Sequence, residues 1–145
     1  MVVFDHEKLD VYQLAIEYAD AAEEIAQMLQ AGHAHTRDQL RRASDSIVNN
    51  TAEGAGEFLP GEKARFYRMA LRSGTESAAT LHTCLRRRLA DPHKIDEARK
   101  LLKRVVQMLT RLVNAMKERH LPDNRDPDRD RDRDGERNTA GTLTD

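Results

Sequence analysis

Tryptophan is absent from this chain and cysteine occurs once, at Cys84. A lone cysteine cannot close an internal disulfide, which fits a reducing cytoplasm and leaves stability to the core. Cys84 falls on the apolar side of its helix, where it reads as a small buried hydrophobe. Four prolines and seven glycines in 145 residues leave long stretches free for helix, and three Phe with three Tyr point to an aliphatic, alanine-rich interior. No apolar run approaches the roughly 18 residues of a membrane span. Residues 1–8, Met-Val-Val-Phe-Asp-His-Glu-Lys, put no basic region ahead of an apolar run, so neither a membrane partner nor a secretory signal is expected. Net charge is nearly absent as well: 24 Lys plus Arg against 25 acids give −1, so bulk electrostatics does not demand nucleic acid.

The residues of catalysis are missing in the same way. A di-iron bundle needs Glu-x-x-His pairs on facing helices, and the chain has none. His6, His33, His35, His93 and His120 fall at helix ends or loops, while His82 stands alone near the end of a helix. There is no glycine-rich phosphate loop between strand and helix and no Ser, His and acid set. The sequence therefore predicts no catalytic residue, no metal site and no cofactor.

What is present is helical periodicity. The first helix is expected over residues 7–31, with Tyr12, Ala15, Ala19, Ala22, Ala26 and Leu29 inward and Leu14, Tyr18 and Ile25 beside them. Its outer arc is acidic: Asp10, Glu17, Asp20 and Glu24 with Gln13 and Gln27. Gly32 suits a left-handed cap at its end. Thr36 and Gln39 form a capping box for a second helix lined by Leu40, Ala43, Ile47, Thr51 and Gly54, with Ser44 and Asn50 at the borders, and Gly54 and Gly56 are expected to break it. A third helix, 61–89, follows a loop at Leu59-Pro60-Gly61 and turns Phe66, Ala70, Ser73, Ser77, Leu81 and Cys84 inward, with Gly74 beside them. Asp91 and Pro92 supply a cap and first position for a fourth, 92–119, whose seam is Ile95, Ala98, Leu102, Val105, Leu109, Leu112 and Met116. Four helices, short connections and no strand signal predict an all-α four-helix bundle over residues 1–121. Residues 122–145, with a repeated Asp-Arg run and Leu143 as their one large aliphatic, predict a disordered charged tail.

Charge is distributed unevenly. Residues 1–36 hold one Lys against seven acids, and residues 73–121 hold eleven Lys plus Arg against five acids. The second helix, Gln39 to Gly54, is poor in solvating Lys and Glu and rich in Ser and Asn, which predicts that both of its faces are covered. Arg41, Arg42, Ser46, Asn49, Asn50 and Glu53 on it, with Ser73 and Glu76 of the third helix, are the candidates for an oligomer interface or a buried polar network in which Arg41 or Arg42 reaches Glu76. A small polar ligand is the competing use of the same groups. An acidic face on one helix and a cationic face on another also suit a head-to-tail contact between identical subunits, which closes into a ring. The alternative is a nucleic-acid surface made of Arg86, Arg87, Arg88, Arg99, Lys100, Lys103, Arg104, Arg111 and Lys117.

Residues carrying a family resemblance are Phe4, Lys8-Leu-Asp-Val-Tyr-Gln-Leu-Ala-Ile16, Gln39-Leu-Arg-Arg-Ala43, Ser46-Ile47, Asn50, Ala52-Glu-Gly54, Arg65-Phe66, Ala70-Leu71, Ser73 and Glu76. Together they resemble the four-helix-bundle proteins encoded in intervening sequences of bacterial large-subunit ribosomal RNA genes, over residues 4 to about 118. That resemblance implies a ring, typically a homopentamer, with no established enzymatic activity. A more distant similarity is to accessory proteins of diversity-generating retroelements, which are strongly basic and work with a reverse transcriptase and its RNA. Residues 1–121 here hold nineteen Lys plus Arg against seventeen acids, so this chain departs from them in charge. The reading is a non-catalytic, homo-oligomeric assembly or adaptor protein, with binding of RNA, DNA or a nucleic-acid-processing protein as the alternative.

Overall fold

The amphipathic stretches become four helices: α1 Asp10–Met28, α2 Ala34–Gly56, α3 Pro60–Arg86 and α4 Pro92–His120. Short 3-10 turns, Asp5–Lys8 and Ala31–His33, precede α1 and join it to α2. This is a computed structural model, and it describes residues 1–120; the disordered tail expected at 122–145 lies outside the described residues. No strand occurs among the described residues. Each helix packs against its neighbours in the chain and α4 returns to α1, so the four stand at the corners of a square with α1 diagonal to α3. The all-α four-helix bundle is the fold that the periodicity predicts.

Small residues set the spacing of the helices. Gly74 on α3 lies where a Cβ would come within 3.3 Å of Val106 on α4, and Gly54 on α2 lies where one would stand 2.6 Å from the Tyr67 ring on α3. Gly54 therefore does not break its helix; α2 runs through it to Gly56, and the missing side chain admits an aromatic ring. At the centre Tyr18 crosses the diagonal and its hydroxyl donates to Ser77 Oγ at 2.7 Å. Tyr18, Ile25, Leu40, Ile47, Leu81, Ile95, Val105 and Leu109 fill the interior around that bond.

Three predicted core lines hold except at Tyr12, Ala19, Phe66 and Leu112, where a neighbouring residue is buried instead. On α1 the buried line runs Val11, Leu14, Ala15, Tyr18, Ala22, Ile25 and Ala26, while Tyr12 and Ala19 are half-buried. Tyr12 is turned to the rim, where the edge of His6 meets it at 4.8 Å between ring centroids. On α3 the core aromatic is Tyr67, which fills the space at Gly54, and Phe66 lies at the border with the Arg65 guanidinium 5.6 Å above its ring. On α4 Val113 replaces Leu112 in the buried line. Ile95 and Val113 are 18 residues apart, about five turns at 3.6 residues each, so a straight helix leaves the strict three-four alternation there.

The helix ends are closed by residues on the next helix. α1 has no basic residue in its last turn, and Arg37 of α2 supplies the charge: its guanidinium donates to the carbonyls of Ala26 at 3.2 Å, Gln30 at 3.1 Å and Leu29. α2 begins at Ala34, so Arg37 and the expected Thr36 cap both lie inside it. Gly32 is likewise not a left-handed cap; no described glycine has positive φ, and α1 stops at Leu29 in extended conformation. Lys63 of α3 repeats the device for α2, donating to Gly54 O at 3.2 Å and Ala55 O at 2.9 Å. α3 ends at Arg86 instead of 89 because Arg88 takes the left-handed conformation, φ 55°. Arg88 N–H then bonds Leu85 O and Leu89 N–H bonds Cys84 O, the two bonds of a Schellman ending with arginine where glycine is usual. Asp91 caps α4 as expected, accepting from His93 N–H at 2.9 Å.

Candidate functional site

The polar side of α2 divides at Arg41 and Arg42. Successive residues on a helix point about 100° apart, so the two cannot serve the same neighbour. Arg41 was expected to be able to reach Glu76 on α3; it turns instead to α1 and binds Glu23 through Nε and Nη2, both at 2.8 Å. Hydrogen bonding to Arg41 holds the Glu23 carboxyl below the usual carboxylate range, and the same bond raises Arg41. Arg42 faces α3 and lines a groove of about 370 Å³ with His35, Gln39, Ser46, Ser73 and Glu76. It forms no ion pair with Glu76 among the described residues.

Beneath that groove three of the candidate residues meet. Ser46 Oγ accepts from Ser73 Oγ at 2.8 Å and from Asn50 Nδ2 at 3.0 Å, and Asn50 donates also to the Ser46 carbonyl at 2.9 Å. These bonds tie α2 to α3 at mid-height. Asn49 and Glu53 are not in the cluster; both are exposed, Asn49 on the wall between α1 and α2.

Two larger grooves lie on opposite sides of the square. Between α1 and α2, about 560 Å³ is lined by the apolar Ile16, Ala19 and Val48 and by Asp20, Glu23, Asp45 and Arg41, three carboxylates against one cation. Between α3 and α4, about 530 Å³ is lined by Ala78, Leu102 and Val106 and by Arg99, Lys100, Lys103 and Asp96, three cations against one carboxylate. The grooves are thus similar in size and opposite in sign. Sequence reasoning found Asp20 and the cations but missed Glu23, Asp45, Val48, Ala78, Asp96 and Val106. Asp45 stands one turn after Arg41, and Asp96 three and four before Arg99 and Lys100, spacings that place each pair on one face.

The remaining basic candidates lie outside the α3/α4 groove. Lys100 is held by Asp96 at 3.1 Å and Glu97 at 3.8 Å, whereas Arg99, Lys103, Arg104 and Arg111 make no ion pair among the described residues. Arg111 and Lys117 are exposed further along α4, and Arg86, Arg87 and Arg88 are exposed at the end of α3. Some of the acidic outer face of α1 is engaged within the chain, Glu24 pairing with Lys94 at 3.4 Å; Asp10, Glu17 and Asp20 have no such partner among the described residues.

Among the described residues no three His, Cys, Asp or Glu side chains gather in a way that could hold a metal ion, and no helix is long and apolar enough to cross a membrane. Cys84 is buried, and burial pushes its thiol above the ordinary range, away from reactive thiolate.

A family model described as 23S rRNA-intervening sequence protein matches residues 7–111. No curated protein matches the chain.

Proposed function

The chain belongs to the 23S rRNA-intervening sequence protein family, and from that premise we propose that it works without catalysis, as an assembly or adaptor module built from copies of itself. The observation that carries this reading is the pair of opposite-signed grooves on opposite sides of the bundle. Identical faces of one sign repel, so like copies meet by the acidic α1/α2 side of one against the basic α3/α4 side of the next. Such a contact is heterologous, and repeated with a constant turn it closes into a ring. The family resemblance favours five subunits. Light scattering at micromolar concentration in moderate salt tests the reading: a multimer is expected, and a single-chain mass removes it. Arg99→Glu with Lys103→Glu should lower the mass, and mixing that variant with Asp20→Lys, Asp45→Lys should restore a mixed contact.

A second reading is favoured by Arg99, Lys103, Arg104 and Arg111, four exposed cations without ion-pair partners among the described residues. On it the α3/α4 side meets the phosphates of RNA or DNA. Affinity for a duplex would then fall with salt by about 0.9 in log–log slope per phosphate contact. The readings separate cleanly: charge reversal that abolishes binding while leaving the mass unchanged supports nucleic acid, and no binding at low salt removes it.

A further inference from the structure

The largest anomaly of the surface lies at one end of the bundle, away from both grooves. Val2, Val3 and Phe4 are 82%, 55% and 64% exposed, and Phe58 and Leu59, in the loop between α2 and α3, are 96% and 66% exposed. The Asp5–Lys8 turn packs against α2, whose last residues lead into that loop, so arm and loop share this end. Both are held in place. Lys63 ties the loop back to the carbonyls of Gly54 and Ala55. Phe4 N–H donates to Glu7 Oε2 at 2.7 Å, and the Phe4 ring stacks on His6, which meets Tyr12 edge-on. A built and exposed apolar patch of this kind marks a contact surface.

We propose that a second copy of the chain docks here, end to end, in a two-fold contact distinct from the side-to-side contact above. Charge selects this occupant. An isologous contact sets a patch against itself, and the patch must tolerate its own sign. Residues 1–9 and 57–65 carry Asp5, Glu7, Glu57 and Glu62 against Lys8, Lys63 and Arg65, a near balance of four and three. Two exposed pairs, Asp5 with Lys8 at 3.6 Å and Glu62 with Arg65 at 3.5 Å, flank the patch and can exchange partners across a two-fold axis. The grooves on the sides, each dominated by one sign, have no such freedom. An anionic lipid surface gains no net attraction from a patch of four carboxylates and three cations.

Light scattering on the full chain tests the proposal, with circular dichroism confirming unchanged helix content. Phe58→Glu with Leu59→Glu, and separately Phe4→Glu, should each halve the mass of the wild-type assembly. An unchanged mass in both overturns the end contact. Sedimentation with phosphatidylcholine and phosphatidylserine vesicles covers the competing occupant: vesicle binding lost in the variants at constant mass assigns the patch to lipid and also overturns the proposal. Failure of the groove reading is told apart by Arg99→Glu with Lys103→Glu. If that variant leaves the mass unchanged while Phe58→Glu with Leu59→Glu halves it, the end contact stands and the groove contact falls.

Discussion

Tyr18 at the centre of the bundle and Gly54 near the end of α2 each hold a close contact between helices. Burial pushes the Tyr18 phenol up to about 12, with the Ser77 hydrogen bond offsetting part of the rise. Tyr67 is raised by burial in the same direction. A phenol whose folded value lies above its unfolded value of about 10 contributes stability that is whole below pH 10 and lost as pH rises from 10 towards 12. Tyr18→Phe should therefore make urea unfolding less steep in pH over that window, while costing about 1 kcal/mol at neutral pH by leaving Ser77 without its partner. Two glycines near the end of α2 give a matched pair. A Cβ at Gly54 meets the Tyr67 ring at 2.6 Å, and one at Gly56 meets nothing within 4 Å. Gly54→Ala should cost about 1–3 kcal/mol by overpacking, whereas Gly56→Ala should be neutral or gain up to about 1 kcal/mol in urea midpoint-derived stability. Neither difference is legible in the sequence, where both glycines read as helix breakers; the ring that separates them comes from another helix.

At the level of elements, the helices themselves were legible because amphipathic repeats of 19 residues or more survive errors at any one position. Their ends were less so. Arg37 and Lys63 close helices other than their own, and no local motif announces such a contact. Arg37→Ala should cost about 1–3 kcal/mol, since it leaves carbonyls at the end of α1 without a donor, and hydrogen exchange should rise first in the last turn of α1. Arg88→Gly should act the other way, adding about 0.5–1 kcal/mol by relieving a left-handed arginine. The Glu23 and Arg41 pair joins α1 to α2 and contributes above pH 4.5; because its folded carboxyl is lowered, that contribution is lost as pH falls below the ordinary carboxylate range. Glu23→Gln should flatten the acid limb of stability there.

For the whole molecule, the opposite charges of the first and last helices could be read directly, but their arrangement could not. Only the square order of the helices reveals that an acidic α1/α2 groove and a basic α3/α4 groove stand back to back, because each groove draws residues from two distant segments. Ser46, Asn50 and Ser73 were candidates by residue type alone; that they meet, and that Arg41 and Arg42 divide between two neighbours, depends on which helix each side chain faces. The central claim is assembly through those two grooves, and the most direct measurement is the light-scattering mass of the full 16.5 kDa chain beside its Arg99→Glu, Lys103→Glu variant at micromolar concentration. The account predicts a multimer for the wild type and a smaller species for the variant; a wild type that runs as one chain, or a variant of undiminished mass, would contradict it.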